Sequence, residues 1–144
     1  MHIRRASLDD ATAIATLSDQ LGYPSTERVV RACLSDLVKD GEHAVFIANG
    51  AANAVVGWIH VFRTKRVFTR SFAELGGMIV DEHCRGEGIG TQLLQAAEEW
   101  AQGASCSVIR IRTNVVRDQA HQFYQGLGYS LAKSQKVFVK SLEE

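Results

Sequence analysis

A glycine-rich turn is the segment of this sequence whose residue types and spacing point most clearly to chemistry. Arg85-Gly86-Glu87-Gly88-Ile89-Gly90 carries three glycines at alternate positions and follows the apolar run that ends at Val80. Glycines let the backbone come close to a ligand because no Cβ stands in the way. The N–H groups of such a turn, together with the N-terminus of a helix predicted from Thr91, can bind a phosphate group. The turn therefore predicts an anion site, and a turn of purely structural purpose stays as the alternative.

Two other phosphate-binding motifs do not fit this segment. The glycines are spaced G-x-G-x-G rather than G-x-G-x-x-G, and no acidic residue ends a second strand about 20 residues on, as a dinucleotide site requires. No Gly-Lys-Ser or Gly-Lys-Thr follows the glycines. A dinucleotide-binding domain and a P-loop are therefore not expected.

A second motif lies downstream of the turn. It consists of Asn114, the run Ala120-His121-Gln122-Phe123-Tyr124 and the run Leu127-Gly128-Tyr129. Ala73-Glu74-Leu75, Val80-Asp81 and Leu93-Leu94 surround the glycine turn itself. Together these segments, which cover roughly residues 72–140, resemble the R/Q-x-x-G-x-G/A signature and the second motif of the GCN5-related N-acetyltransferases, the GNAT superfamily.

The resemblance implies an α/β (α+β) fold, with a mixed central sheet flanked by about four helices. It also implies that a splayed pair of parallel strands, here residues 75–80 and 108–113, holds acetyl-coenzyme A. The backbone of residues 78–80 would pair with the pantetheine arm, and the N–H groups of residues 85–91 would hold the pyrophosphate. The residues that the resemblance assigns to the cofactor are Met78, Ile79, Val80, Arg85, Gly86, Glu87, Gly88, Ile89, Gly90, Thr91, Asn114, Ala120, Phe123 and Tyr124. For Arg85 and Asn114, a role only in shaping a turn is the alternative.

Acetyl transfer to a primary amine, by direct attack in a ternary complex, is the reaction that the resemblance implies. An amine must be neutral to attack a thioester, so a base or a water chain has to remove its proton. Glu74 is the candidate base, and a polar residue on a half-exposed strand is its alternative. Tyr124 matches the family's frequent general acid, which would protonate the leaving thiolate, and packing is its alternative. A strand amide near Met78 or Ile79 would meet the oxyanion.

Hydrophobic periodicity predicts the elements that position these residues. The predicted strands are residues 2–7, 43–48, 54–62, 72–80, 108–112, 129–131 and 137–139, and the predicted helices are residues 9–21, 25–40, 91–102 and 118–127. Residues 63–70 are predicted to form a loop, whose four basic side chains are either solvated or in contact with an anion. With no internal repeat and no linker-like stretch, a single N-acetyltransferase domain over residues 1–144 is expected.

The composition of the chain limits the kinds of binding partner that the sequence suggests. The 144 residues have a net charge of zero, so no global field would hold the chain on nucleic acid or on a membrane. Three cysteines without a CxxC pair indicate reduced thiols, and with no signal peptide they favour the cytoplasm. The five histidines have no partner at metal-ligand spacing, so no metal is expected. The resemblance is compatible with a homodimer.

Two other functions stay open on the same fold. One is acetylation of protein lysines or N-termini, and the other is a non-catalytic acyl-CoA-binding module. A neutral chain shows no acidic patch that would attract basic peptide tails, which favours a small-molecule amine. We expect the first two helices and residues 63–70 to form the acceptor pocket, with Asp19, Gln20 and Tyr23 among its residues.

Overall fold

The computed structural model of the chain describes residues 1–20, 22–112 and 118–143. The chain divides into two compact units, Met1–Ile111 and Arg112–Glu144. The elements of the first unit are β1 (His2–Arg5), α1 (Ala11–Gln20), α2 (Glu27–Leu37), β2 (His43–Asn49), β3 (Val55–Arg66), β4 (Thr69–Val80), α3 (Ile89–Gly103) and β5 (Ile109–Arg110). The second unit contains α4 (Asp118–Gly126).

The five strands form one sheet in the order β1-β2-β3-β4-β5. The first three pairings are antiparallel, and short connections join β2 to β3 and β3 to β4, whereas α1 and α2 lie between β1 and β2. The pairing of β4 with β5 is parallel, because α3 returns the chain to the same end of the sheet. A mixed sheet with four helices and a parallel strand pair is the fold class that the sequence predicts, and that prediction is confirmed.

Helices cover both faces of the sheet. On one face, Ile14 of α1 and Leu34 of α2 pack against Val45 and Ile47 of β2, with Trp58 of β3 beside them. On the other face, a Cβ added to Gly57 would touch Leu93 and Ile89 of α3, so α3 lies directly on the strands there. Because side chains alternate along a strand, Trp58 and His60 face α1 and α2, whereas Ile59 and Val61 face α3. Ile59 and Val61 are fully buried.

An ion pair fixes the start of the first helical segment. The two terminal nitrogens of Arg4 donate to the two carboxylate oxygens of Asp10 at 2.8 Å, and the Ser7 N–H donates to the same carboxylate. Asp10 is only 5% exposed, and the Arg4 guanidinium holds the pKa of its carboxyl below the ordinary value. The pair therefore ties β1 to the segment that enters α1.

The predicted loop over residues 63–70 is wrong. β3 continues to Arg66, β4 begins at Thr69, and the two remain paired through Thr64 with Phe72 and Arg66 with Thr69. Only Val67 and Phe68 form the turn, so the basic side chains lie on a long hairpin. A hairpin satisfies its backbone hydrogen bonds locally, which allows both strands to extend beyond the apolar core.

The other differences concern the ends of elements. The first strand ends at Arg5, the second helix begins at Glu27 with Thr26 as its cap, and β5 covers only Ile109–Arg110. The predicted closing strands at 129–131 and 137–139 are wrong, since these residues lie in no strand. Alternation in sequence marks a segment that can pair, but a strand exists only where a neighbour completes its backbone hydrogen bonds. Among the described residues, no helix is long and apolar enough to cross a membrane.

Candidate functional site

The open edge of β4 is the first feature of the site. β5 pairs with β4 only at Ala73 and Glu74, with a further hydrogen bond from the Ala73 N–H to the Val108 carbonyl. β4 continues to Val80, and the other edge of this last part pairs with β3. Among the described strands, none pairs with the β5-side edge of residues 75–80. A backbone with unpaired groups along one edge can accept an extended ligand as an additional strand.

A β-bulge at Gly76 lies where β4 leaves β5. Val61 of β3 pairs with Leu75 and His60 pairs with Gly77, so Gly76 is the extra residue. Bulges bend a strand and increase its local twist, which explains why the parallel ladder ends at Glu74. A Cβ on Gly76 would overlap the His60 ring, and a Cβ on Gly77 would lie 2.8 Å from the Trp58 ring. Both glycines are required because two aromatic rings lie directly on the backbone.

The glycine turn follows β4 without interruption. Gly86 has φ +86° and Gly88 has φ +81°, both in the left-handed region, and an added Cβ at either position would project into open space. Gly88 is the N-cap of α3, and Arg85 to Gly88 are exposed. Among the described residues, no hydrogen bond takes up the N–H groups of Arg85, Gly86, Glu87 or Gly88. These donors and the positive end of the α3 dipole therefore face solvent, as an anion site requires.

Hydrogen bonds from outside the turn hold its first residues. The Gln20 side chain, at the end of α1, accepts from the Glu82 N–H at 2.8 Å, and Asp81 accepts from the His83 N–H. The Arg85 side chain folds back to the Val80 carbonyl at 3.4 Å. Gln20, which the sequence suggested for the acceptor pocket, thus positions the turn, and its role toward an acceptor stays a prediction.

Cys84 is not an activated nucleophile. Desolvation, followed by the carboxylates of Asp81 and Glu87, raises the pKa of its thiol. A thiol that stays protonated at neutral pH is a poor nucleophile. Cys84 is therefore not assigned a role in the chemistry.

Glu74 lies half-buried on the face of β4 that α1 and α2 cover. It pairs with Phe62 across β3 and with Arg110 across β5, and cross-strand partners share a face of the sheet. The Arg110 guanidinium lies 4.5 Å from the centre of the Phe72 ring, and the Arg66 guanidinium lies 5.6 Å from it. The cross-strand neighbours of the proposed base are thus an aromatic residue and a cation.

Two histidines on this face form a contact that sequence reasoning missed. Nδ1 of His43 and Nε2 of His60 are 2.9 Å apart, although the residues are 17 positions apart in the chain. The rings stack at 5.2 Å, and His43 also stacks on Phe62. Burial, and secondarily the charge of His43, lowers the pKa of His60 to about 4. The sequence could have suggested this contact, because both histidines lie at inward positions of strands that were predicted to be neighbours.

The second unit contains the downstream motif. α4 carries Ala120, Phe123 and Tyr124, and the Tyr124 carbonyl accepts from the N–H groups of Leu127 and Tyr129 just after the helix. The Tyr124 ring makes edge contacts with Phe123 at 5.3 Å and with Tyr129 at 6.0 Å. Asn114 lies outside the described residues. The cofactor roles expected of Asn114, Ala120, Phe123 and Tyr124, and the catalytic role expected of Tyr124, stay predictions.

No group of three metal-ligating side chains occurs in the part of the chain that the structure describes. The histidine pair lacks a third ligand there, although Asp40 lies 3.7 Å from Nε2 of His43. A hydrogen-bonded role for these imidazoles fits their geometry better than a metal site.

Comparison with known proteins supports the class of protein that the fold and the open edge define. The acetyltransferase (GNAT) family matches residues 11–129. An aminoglycoside N(6')-acetyltransferase type 1 from Stenotrophomonas maltophilia is 30% identical over 98% of this chain and 94% of its own length. An aminoalkylphosphonate N-acetyltransferase from Salmonella typhimurium is 29% identical over 97% of this chain and 90% of its own.

Solved structures show the same fold. An aminoglycoside antibiotic 6'-N-acetyltransferase from Acinetobacter baumannii superposes with a TM-score of 0.86 at 21% identity, over 99% of both chains. An aminoglycoside N-acetyltransferase in complex with CoA superposes with a TM-score of 0.83 at 19% identity, over 97% of this chain and 99% of its own. The fold is therefore that of an N-acetyltransferase. The chain belongs to the acetyltransferase (GNAT) family.

The fit between Gly76 and His60 can be tested by a double-mutant cycle. Gly76→Ala should lower the free energy of unfolding by about 1–3 kcal/mol, because the new methyl group must displace the stacked His60 ring. In a His60→Ala background, which removes the ring, the same substitution should cost much less. Chemical denaturation of the four proteins measures both values. Gly103→Ala, where a Cβ meets nothing within 4 Å, is the control. Equal costs in both backgrounds would show that the two residues do not compete for space.

Proposed function

We propose that this enzyme transfers the acetyl group of acetyl-CoA to the primary amine of a small molecule, by direct attack in a ternary complex. The observation that carries the proposal is the continuity of the open β4 edge with the glycine turn. An extended chain with amide groups and a pyrophosphate at its end, as in CoA, matches this order of features. The relative solved with CoA supports the same donor.

The proposed cofactor contacts follow from this geometry. Alternate backbone groups of β4 point away from β3, and those of Met78 to Val80 would pair with the amides of pantetheine. Ile79 is buried, so its contribution is that of its backbone. The pyrophosphate would occupy the turn from Arg85 to Thr91, where N–H groups and the α3 N-terminus offer donors and positive potential. Asn114, Ala120, Phe123 and Tyr124 are assigned to the cofactor from the sequence motif alone.

The proposed chemistry needs a base and an acid. Glu74 would take a proton from the ammonium group of the acceptor, because only the neutral amine attacks the thioester carbonyl. As the C–N bond forms and the C–S bond breaks, Tyr124 would donate its phenolic proton to the departing thiolate, and the second proton lost by the attacking nitrogen would restore the phenol. A backbone N–H of β4 near Met78 or Ile79 would stabilise the oxyanion.

The acceptors of the two curated relatives are both small molecules with amino groups, which supports a small-molecule acceptor here. One feature favours an acceptor that also carries a negative group, such as an aminoalkylphosphonate. Arg66 and Arg110 lie over Phe72, on the face that carries Glu74, and no carboxylate among the described residues forms an ion pair with either guanidinium. Such cations would attract a phosphonate and repel a polycationic aminoglycoside.

The proposal is tested by measuring thiol release from acetyl-CoA with three acceptors: 2-aminoethylphosphonate, kanamycin and a lysine-containing peptide. We expect the phosphonate to give the highest kcat/KM, and Arg110→Gln to raise its KM several-fold because one charge-assisted contact is lost. Higher kcat/KM with kanamycin would leave the acetyltransferase assignment intact and refute the anionic acceptor. A preference for the peptide would support protein acetylation. Acetyl-CoA binding without thiol release from any amine would indicate a non-catalytic binding module.

Substitution of Gly88 tests the phosphate-binding turn. Gly88→Val should reduce acetyl-CoA affinity by at least about 100-fold, because valine does not tolerate a φ of +81° and its side chain would occupy the space above the turn. Calorimetric titration of acetyl-CoA measures the change. Gly103→Ala, at the other end of α3, should bind normally. Unchanged affinity of a folded Gly88→Val protein would refute the assignment of the turn.

Substitution of Tyr124 tests the proposed acid. Tyr124→Phe should lower kcat roughly 10- to 1,000-fold, since the ring remains but the proton donor is lost. The Kd of acetyl-CoA should stay within about two-fold. Tyr129→Phe removes the hydroxyl of the neighbouring ring and should leave kcat near the wild-type value. A parallel loss of acetyl-CoA affinity in Tyr124→Phe would assign the hydroxyl to cofactor binding instead.

A further inference from the structure

The half-buried pair of His43 and His60 lies between the bulge in β4 and the surface of the first unit. His60 of β3 lies over the Gly76 backbone with its Nδ1 side, and its Nε2 contacts Nδ1 of His43 at 2.9 Å. On the far side, Nε2 of His43 lies 3.7 Å from a carboxylate oxygen of Asp40. Four ring nitrogens thus lead in series from the bulge in β4 to a half-exposed carboxylate.

The order of nitrogens suits proton transfer. A neutral imidazole carries one N–H donor and one lone-pair acceptor, so a proton added at one nitrogen allows the other to release its own. Two imidazoles in series therefore move a proton along the row by exchanging tautomers, and neither ring has to become a cation. Burial disfavours the charged form of His60, and transfer between neutral tautomers does not need that form.

Glu74 of β4 and His60 of β3 lie on the same face of the sheet, close to the bulge at Gly76. Glu74 is the cross-strand partner of Phe62, and His60 lies two positions away from Phe62 on the same face. In a regular antiparallel ladder, diagonal neighbours of this kind have Cα atoms about 7–8 Å apart, and the bulge at Gly76 lies between them here, so water would have to bridge their polar groups. A proton accepted by Glu74 would then pass through water to Nδ1 of His60.

The proposed reaction requires such a route. An alkylammonium and acetyl-CoA give an amide, a free thiol and one net proton, since one of the two protons lost by nitrogen balances the thiolate. The net proton must leave Glu74 before the next turnover. We propose that His60 and His43 carry this proton from Glu74 to Asp40 and the surrounding water. The inference rests on the proposed function.

Each transfer is balanced. Glu74 loses the proton through water to Nδ1 of His60, His60 passes its Nε2 proton to Nδ1 of His43, and His43 passes its Nε2 proton to Asp40 or to water. The rings then return to their first tautomers before the next turnover. Among the described residues, Arg110 shares the sheet face with Glu74, and Arg5 lines a surface pocket together with His43. His43 therefore reaches solvent at this pocket.

The test replaces each imidazole by a phenyl ring, which keeps a planar aromatic side chain and removes both ring nitrogens. His60→Phe and His43→Phe should each lower kcat about 10- to 100-fold at pH 7, while the KM of acetyl-CoA stays within about two-fold. Because the rings act in series, the double variant should be no slower than the slower single variant. Added imidazole and rising pH should restore part of the rate, since both supply an alternative proton acceptor. His2→Phe, an exposed histidine of β1, is the control.

The outcomes separate the relay from the proposed function. An unchanged kcat in His60→Phe, or losses in kcat that are additive, independent of pH and insensitive to imidazole, would overturn the relay. If His60→Phe does not fold, His60→Gln and the less buried His43→Phe provide the same readouts. A wild-type enzyme that releases no thiol with any amine would refute the proposed function itself, and the relay with it.

Discussion

The pairing of β4 with β3 is the constraint on which the rest of the site depends. It holds β4 along one edge over its whole length, so the strand keeps its extended form after β5 has ended. A strand without that support would collapse or pair elsewhere, since its backbone groups need partners. The extra residue in this ladder, Gly76, bends β4 at the same point. The edge of β4 beyond β5 therefore stays open and extended because the antiparallel ladder with β3 holds the strand along its other edge.

Close packing on the α1 and α2 face explains the two glycines at the bulge. His60 and Trp58 lie directly on Gly76 and Gly77, so the inner part of this face is filled by rings from β3. The Trp58 Nε1 is buried and has no hydrogen-bond partner among the described residues, so this packed layer contains polar nitrogens as well as apolar side chains. Toward the turn of the β3–β4 hairpin, the same face carries Glu74, Phe72 and the guanidinium groups of Arg66 and Arg110. One sheet face thus joins the packed core to a charged surface.

The anion-binding turn and the sheet edge are coupled by local hydrogen bonds. The Arg85 side chain returns to the last carbonyl of β4, and Gln20 of α1 holds the Glu82 N–H. The turn is therefore fixed relative to both β4 and α1, while its own N–H groups from Arg85 to Gly88 stay available. Pre-positioned donors bind an anion without the entropic cost of ordering a loop.

The sequence by itself determined the fold class, the glycine turn and the position of β4, because local spacing encodes glycine turns, helical faces and strand alternation. It also predicted Glu74 and the downstream motif as candidates for chemistry. Only the tertiary structure decided how far the β3–β4 hairpin extends, where β5 ends, and that His43 meets His60. Those features depend on register between strands, and a contact between residues 17 positions apart has no signature in either segment alone.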